Sequence, residues 1–223
     1  IYERDKSFYQ SMRSSEDINI ISGVFHKNTD KNKIYNSIVV LNEDEQIYDK
    51  RHLVPFGEYT PIKIIFDYLS KKLNIPMSNL SHGDLKQKAF VVDNIIMHPL
   101  ICYEIAYPQL INMGNDYSLI INVSNDAWFG DTFAPHQHLQ IARLRALEAA
   151  HPVIRAANTG ISAIINKNGL AVKNISLNTE GIINGEVYPS KGISPYMRFG
   201  DYPILMLIFS IMLVYCRSYR KYD

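Results

Sequence analysis

Two neighbouring stretches decide the fold, IIMHPLICYE at residues 95–104 and YSLIINV at residues 117–123. Each contains a short and nearly continuous apolar run. Such runs are typical of β-strands that are buried on both faces by helices or by a second sheet. The sequence therefore predicts an α/β domain in which residues 95–101 and 117–123 form buried strands.

Shorter β-branched or aliphatic runs on either side predict further strands. They cover residues 18–25, 34–41, 89–92, 153–157, 161–165 and 181–187. Two helices are predicted as well, at residues 61–73 and 136–150. Each ends just before a dipeptide that contains proline, Ile75-Pro76 or His151-Pro152, because proline cannot continue a helix.

The helix at residues 136–150 carries a charge within its apolar face. Arg143 lies in the middle of that face, where a charge is costly unless it is paired. A buried structural ion pair is the favoured interpretation, and a substrate contact is the alternative. The other residues of the face are Leu139, Ala142, Ala146, Leu147, Ala149 and Ala150.

Composition excludes several classes of protein. The 223 residues are 47% hydrophobic, enough for one sizeable core. The 23 Lys and Arg nearly balance the 22 Asp and Glu, which argues against both nucleic-acid binding and disorder. The two cysteines, Cys102 and Cys216, are too few for a disulfide framework or a structural zinc site.

The C-terminal stretch YPILMLIFSIMLVYC, residues 202–216, carries no charge. It is shorter than the roughly 20 residues that usually span a bilayer, but aromatic residues flank it on both sides. Arg217, Arg220 and Lys221 follow it, which places the C-terminus in the cytoplasm by the positive-inside rule. We therefore expect a globular domain at residues 1–197 and a transmembrane helix with a basic tail at 198–223. The alternative, a buried helix of a soluble protein, would lack a polar face.

Cys102 directly follows the predicted strand at residues 95–101. Ligand sites of α/β sheets form at the carboxyl ends of strands, so this cysteine is well placed to face a cleft. Tyr103, Glu104 and Tyr107 come next, and a carboxylate with aromatic residues favours a pocket rim. The alternative is an inert core cysteine.

Two other segments carry candidate site residues. YDKRHLVPFGEY, residues 48–59, includes Lys50 and Glu58. A lysine held near a thiol lowers the thiol pKa and stabilises an oxyanion, although the segment can also be a solvated loop. NVSNDAWFGDT, residues 122–132, presents Trp128 and Phe129, which suit a wall for an apolar substrate or, alternatively, a packed loop anchor.

Metal binding is disfavoured. His136 and His138 stand two positions apart on a predicted helix and therefore point to different sides. We predict no metal and no cofactor.

These motifs occur in a characteristic order. KRHLVPFGEY, ICYE and SNDAWFG are followed by QHLQIARLRALE, RAANTGISAII and SPYMRFGDYP. Together they resemble the apolipoprotein N-acyltransferase family of the carbon–nitrogen hydrolase, or nitrilase, superfamily. The resemblance implies a four-layer αββα sandwich with a Glu–Lys–Cys catalytic set, in which Lys50 is the lysine and Cys102 the nucleophile. It also implies active-site roles for Tyr103, Glu104 and Glu58.

The reaction implied by this resemblance is acyl transfer in a membrane. An acyl chain would pass from a phospholipid, through a thioester on Cys102, to the α-amino group of a diacylglyceryl-cysteine on an apolipoprotein. Tyr103, Trp128 and Phe129 would bind the substrate. The enzyme would lie in the bacterial inner membrane, with its catalytic domain on the periplasmic side.

One departure from the family pattern concerns the general base, a Glu in a WPE-type motif upstream of the first strand. The sequence has no such motif, and Glu3, in IYERDK, has the wrong context. The bundle of membrane helices that opens the family's proteins is also missing. We therefore expect a C-terminal fragment that is inactive by itself. The alternatives are an amidase that hydrolyses a C–N bond and an inactive binding remnant.

Overall fold

The architecture comes from a computed structural model, which describes residues 11, 18–41, 45–59, 79–112 and 117–219. Glu3 and the predicted helix at residues 61–73 lie outside this part of the chain. Within it, two β-sheets pack face to face, and helices cover the outer face of the larger sheet.

The smaller sheet is antiparallel, in the order β1-β2-β3. Its strands are β1 (Ile20–Asn28), β2 (Lys33–Leu41) and β3 (Gln46–Asp49). The central strand β2 is the most buried, and Ile38, Val39 and Val40 have no exposed surface. Residues 34–41 were predicted as a strand, whereas β3 was missed because QIYD has no apolar run.

The larger sheet has six strands in sequential order. They are β4 (Phe90–Val92), β5 (Ile95–Ile101), β6 (Leu119–Asn125), β7 (Val153–Asn158), β8 (Ser162–Ile165) and β9 (Ala171–Ile175). The central strands β5, β6 and β7 are parallel, and the outer pairings are antiparallel. The carboxyl ends of the three parallel strands therefore meet at one edge of the sheet. The two stretches that decided the fold are β5 and β6, as predicted.

Apolar side chains join the two sheets. One core, between the sheets, consists of Ile38, Val40, Tyr48, Phe90, Val92 and Ile101. Gly23 of β1 faces the larger sheet closely, because a Cβ atom here would lie 2.9 Å from a methyl carbon of Val123. A side chain at this glycine would therefore require Val123 to move.

Four helices complete the described chain. They are α1 (Pro108–Ile111), α2 (Ala134–Ala149), α3 (Pro195–Phe199) and α4 (Tyr202–Tyr219), and two short 3-10 turns follow β5 and β6. Helix α2 packs on the larger sheet through Ala142, Ala146 and Ala149. It ends at Ala150, which adopts a left-handed conformation ahead of Pro152.

The structure corrects the predicted face of α2. Leu147 and Ala150 are exposed. Arg143 is half-buried, and its guanidinium donates hydrogen bonds to two uncharged oxygens, Gly169 O and Gln140 Oε1. The predicted ion pair of Arg143 is therefore wrong, and an ion pair within this helix joins the buried Arg145 to the partly buried Glu148. A helical wheel that considers only apolar residues misplaces the buried face, because the buried face of α2 includes two polar residues, His138 and Arg145.

The predicted strand at residues 181–187 is also wrong. This segment is irregular, and β9 occupies the edge of the sheet instead. Lys173 Nζ on β9 donates to the backbone oxygen of Asn184. This side-chain hydrogen bond connects the segment to β9, in place of the backbone hydrogen bonds of a paired strand.

Helix α4 confirms the predicted apolar C-terminal helix and extends past Cys216 to Tyr219. By length and composition it is able to cross a membrane. None of its side chains is buried against the rest of the described chain. An apolar helix with no polar face and no protein partner among the described residues suits a lipid environment.

The buried ring of His98 makes stability depend on pH. Burial, helped by the charge of Arg51, lowers its pKa from 6.5 to about 4, against the hydrogen bond to Leu110 O. Between these values the unfolded chain binds the proton and the folded chain does not. The free energy of unfolding should therefore fall by about 1.4 kcal/mol per pH unit as the pH drops from 6.5 towards 4.

A His98→Gln variant tests this expectation, because its amide can still donate to Leu110 O but does not titrate. Unfolding measured at pH 7 and pH 5 should show a smaller loss of stability in the variant than in the wild type. The same loss in both proteins would contradict the assignment.

Candidate active site

Cys102 lies at the turn between β5 and a 3-10 helix at Cys102–Ala106. It is half-buried and has a left-handed backbone, with φ of 52°. For a non-glycine residue this conformation costs about 1–2 kcal/mol, so the surrounding contacts must hold it. The predicted position of Cys102 at the carboxyl end of a buried strand is confirmed.

Glu104, two residues later, is fully buried and connects two segments of the site. One oxygen accepts from Arg51 N at 2.7 Å and His52 N at 3.1 Å, and the other from Ile101 N at 2.8 Å. Tyr48 Oη lies 3.1 Å from the second oxygen. Arg51 follows Lys50 and Ile101 precedes Cys102, so one carboxylate ties together the backbones that carry the predicted lysine and nucleophile.

Burial and hydrogen bonding act in opposite directions on Glu104. Burial raises its pKa overall, although the backbone N–H groups of Ile101, His52 and Arg51 and the charge of Lys50 oppose this rise. All of its contacts are with hydrogen-bond donors, which require acceptor oxygens. Burial and the charge of Glu104 also raise the pKa of Tyr48, so its phenol keeps the proton that it donates.

Lys50 and Glu58 form a tight ion pair. Lys50 Nζ lies 2.6 Å from Glu58 Oε2, and the lysine side chain is only 1% exposed. Glu58 also accepts from Asn36 Nδ2 and from Val54 N, each at 2.8 Å. The predicted loop at residues 48–59 is therefore not a solvated loop, because it buries an ammonium group against a fully bonded carboxylate.

The aromatic candidates divide into two groups. Tyr103 and Phe129 lie against the ring of His138, at centroid distances of 6.4 and 6.0 Å. Trp128 is 76% exposed. An aromatic side chain this exposed beside the site is available to contact an apolar partner.

A buried polar network behind Cys102 was missed by sequence reasoning. Asp126, His138 and Arg155 are buried and bonded to one another. Burial raises the pKa of Asp126, but the hydrogen bond of His138 and the charge of Arg155 outweigh it and lower this pKa overall. The sequence signal was present: an arginine interrupts the apolar strand β7.

Comparison with known proteins gives a consistent result. The model of the carbon–nitrogen hydrolase family matches residues 5–193. The apolipoprotein N-acyltransferase of Coxiella burnetii is 41% identical over 192 residues, which cover 86% of this chain and 39% of that protein. That of Pasteurella multocida is 40% identical over 210 residues, covering 90% of this chain and 40% of the relative. The chain thus spans about 40% of the length of these curated relatives.

Solved structures support the same fold. The carbon–nitrogen hydrolase from Helicobacter pylori has a TM-score of 0.60 at 17% identity, over 78% of this chain and 63% of that one. Nit3 of Saccharomyces cerevisiae, a member of branch 10 of the nitrilase superfamily, has a TM-score of 0.57 at 19% identity, over 78% and 61%. The predicted nitrilase-like fold is confirmed.

Proposed function

This chain belongs to the carbon–nitrogen hydrolase family, and from that premise we propose that it carries the catalytic site of an apolipoprotein N-acyltransferase. The acyl chain comes from a membrane phospholipid, and the acceptor is the α-amino group of a diacylglyceryl-cysteine. The observation that carries the proposal is the Glu104 carboxylate, which ties the Lys50 segment to the Cys102 segment. The relatives named apolipoprotein N-acyltransferase supply the reaction class.

Each residue of the site has a distinct role. Cys102 is the nucleophile, and Lys50 stabilises the oxyanion of the tetrahedral intermediate together with the Tyr103 N–H. Glu58 holds the Lys50 ammonium in place through the 2.6 Å ion pair. Glu104 acts as a positioning residue, because its oxygens are engaged by the backbones on either side of the site.

The reaction proceeds in two steps, acylation of Cys102 and transfer of the acyl chain to the acceptor amine. The Cys102 thiol gives its proton to a general-base carboxylate, and the thiolate attacks the ester carbonyl. A C–S bond forms, the ester C–O bond breaks, and the lysophospholipid leaves with the proton. The α-amino group then attacks the thioester. The new C–N bond replaces the C–S bond, and the amine proton returns to the sulfur, so the cycle is ping-pong covalent catalysis.

The membrane helix gives this chemistry its location. Both substrates carry acyl chains, so a catalytic domain, residues 1–197, that is held at the bilayer by residues 198–223 meets them without extracting them. The cationic end of α4 lies in the cytoplasm and the catalytic domain on the periplasmic side of the inner membrane. Trp128, which is 76% exposed, and Phe129 line the lipid path.

An acyl-transfer assay tests this proposal. The protein, expressed from its complete reading frame and purified in detergent, should move a labelled acyl chain from phospholipid to a diacylglyceryl-cysteine peptide. A matched peptide with an acetylated α-amino group should receive none, because it lacks the nucleophile.

Two outcomes would contradict the proposal. Release of ammonia from small amides without acyl transfer would identify an amidase, the alternative that shares this fold. Inactivity towards both kinds of substrate would favour a binding remnant.

A further inference from the structure

Two buried side chains hold the backbone carbonyl of Cys102. His138 Nε2 lies 3.1 Å and Asn122 Nδ2 lies 3.3 Å from this oxygen. His138 is 2% exposed, and Asn122 has no exposed surface. Because a carbonyl oxygen only accepts, Nε2 of His138 must carry a hydrogen. Both side chains therefore present a donor to the same peptide group, at the position that the proposed function gives to the nucleophile.

Arg155 orients both of these donors at once. Its Nη1 donates to Asn122 Oδ1, which leaves Asn122 Nδ2 facing Cys102 O. Its Nη2 lies 3.1 Å from His138 Nδ1, and Asp126 Oδ1 lies 3.1 Å from the same nitrogen. These contacts on Nδ1 hold the imidazole ring in place, so that Nε2 faces Cys102 O.

The arginine itself is held in place. Its Nη2 lies 2.7 Å from Asp126 Oδ2, and its Nε donates to Ile161 O at 3.1 Å. Ser124 Oγ donates to the other oxygen of Asp126 at 2.6 Å. The buried ion pair between Arg155 and Asp126 thus fixes the orientation of the Asn122 amide and the His138 imidazole.

A consequence for the Cys102–Tyr103 peptide follows from its planarity. In a trans peptide the C=O and N–H bonds point in opposite directions. Since His138 and Asn122 hold the carbonyl from the core side, the Tyr103 N–H points away from them. This N–H belongs to the first turn of the helix Cys102–Ala106, where N–H groups have no acceptor within the helix.

We propose that His138 and Asn122, oriented by Arg155, are positioning residues that aim the Tyr103 N–H at the oxyanion formed when Cys102 is acylated. The proposal rests on the proposed function, in which Cys102 is the nucleophile. It assigns a role in catalysis to residues that do not touch the substrate, and it explains why the left-handed conformation of Cys102 is maintained.

Two amide substitutions at His138 separate this role from simple packing. In His138→Gln the side-chain nitrogen sits where Nε2 was and can still donate to Cys102 O. In His138→Asn the amide reaches only the former position of Nδ1 and leaves that carbonyl without its donor. Removing an oxyanion donor typically lowers kcat by about 10²–10³-fold. The asparagine variant should therefore lose about 10²-fold in kcat with little change in KM, and the glutamine variant should retain activity within about tenfold.

The readout compares two reactions of the same thiol in the protein expressed from its complete reading frame. Acylation by phospholipid develops an oxyanion, whereas alkylation by iodoacetamide does not. The proposal predicts that His138→Asn slows acylation and leaves alkylation of Cys102 within about threefold of the wild type.

Equal activity in wild type and both variants would overturn the proposal. So would equal losses in both variants that affect acylation and alkylation alike, because they would show a packing role. Neither result bears on the proposed function, which fails separately if wild-type transfer is absent or does not require Cys102.

Discussion

Replacing Cys102 with alanine is expected to reduce acyl transfer by at least about 10⁴-fold, because loss of a covalent nucleophile removes the acyl-enzyme route itself. The residue lies where β5 turns into a short helix, with a left-handed backbone and a carbonyl bonded to His138 and Asn122. Alanine keeps the backbone of this turn, so the fold should survive. The measurement is transfer of labelled acyl chain to a diacylglyceryl-cysteine peptide.

Cys216 provides the matched control. It is a free and exposed cysteine on α4. A Cys216→Ala enzyme should transfer acyl chains at the wild-type rate. If Cys102→Ala retains more than about one per cent of wild-type transfer, Cys102 is not the nucleophile.

Substituting Glu104 with glutamine should lower transfer by about 10³-fold and the free energy of unfolding by about 3 kcal/mol. The carboxylate accepts on both oxygens, from Arg51 N and His52 N on one side and from Ile101 N and Tyr48 Oη on the other. An amide supplies only one acceptor oxygen, so its NH₂ group must face donors. The Lys50 and Cys102 segments then lose their common anchor, and even a shift of about 1 Å between catalytic groups costs about 10²-fold.

The control for this variant is Glu186→Gln, which makes the same chemical change at an exposed position. It should alter the free energy of unfolding by less than about 0.5 kcal/mol and leave transfer unchanged. Wild-type stability and transfer in Glu104→Gln would show that the carboxylate does not hold the two segments together.

The fold was largely predictable because its central strands are buried. Continuous apolar runs identified β5 and β6, and the proline after residue 151 identified the end of α2. Edge elements were not predictable in this way. The four-residue strand β3 has one fully buried apolar residue, Tyr48. The segment at residues 181–187 has the composition of a strand but pairs with no strand in the described part of the chain.

The candidate site was predictable in its parts and not in its connections. Motifs singled out Cys102, Lys50 and Glu58, and the structure shows Lys50 paired with Glu58. The link from Glu104 to Arg51 spans 53 positions, so no local pattern reveals it. His138 was considered only as a metal ligand, although both of its ring nitrogens contact protein atoms. Arg155, which interrupts the apolar strand β7, was the signal in the sequence that pointed to a buried network.

The central claim is that Cys102 carries the acyl chain between the two substrates. Its most direct test is mass spectrometry of the enzyme expressed from its complete reading frame, after incubation with phospholipid and no acceptor. We predict one acyl chain on the peptide that contains Cys102, released by neutral hydroxylamine as a thioester and lost when the diacylglyceryl-cysteine peptide is added. Acylation of the acceptor with no acyl chain ever present on Cys102 would contradict the account.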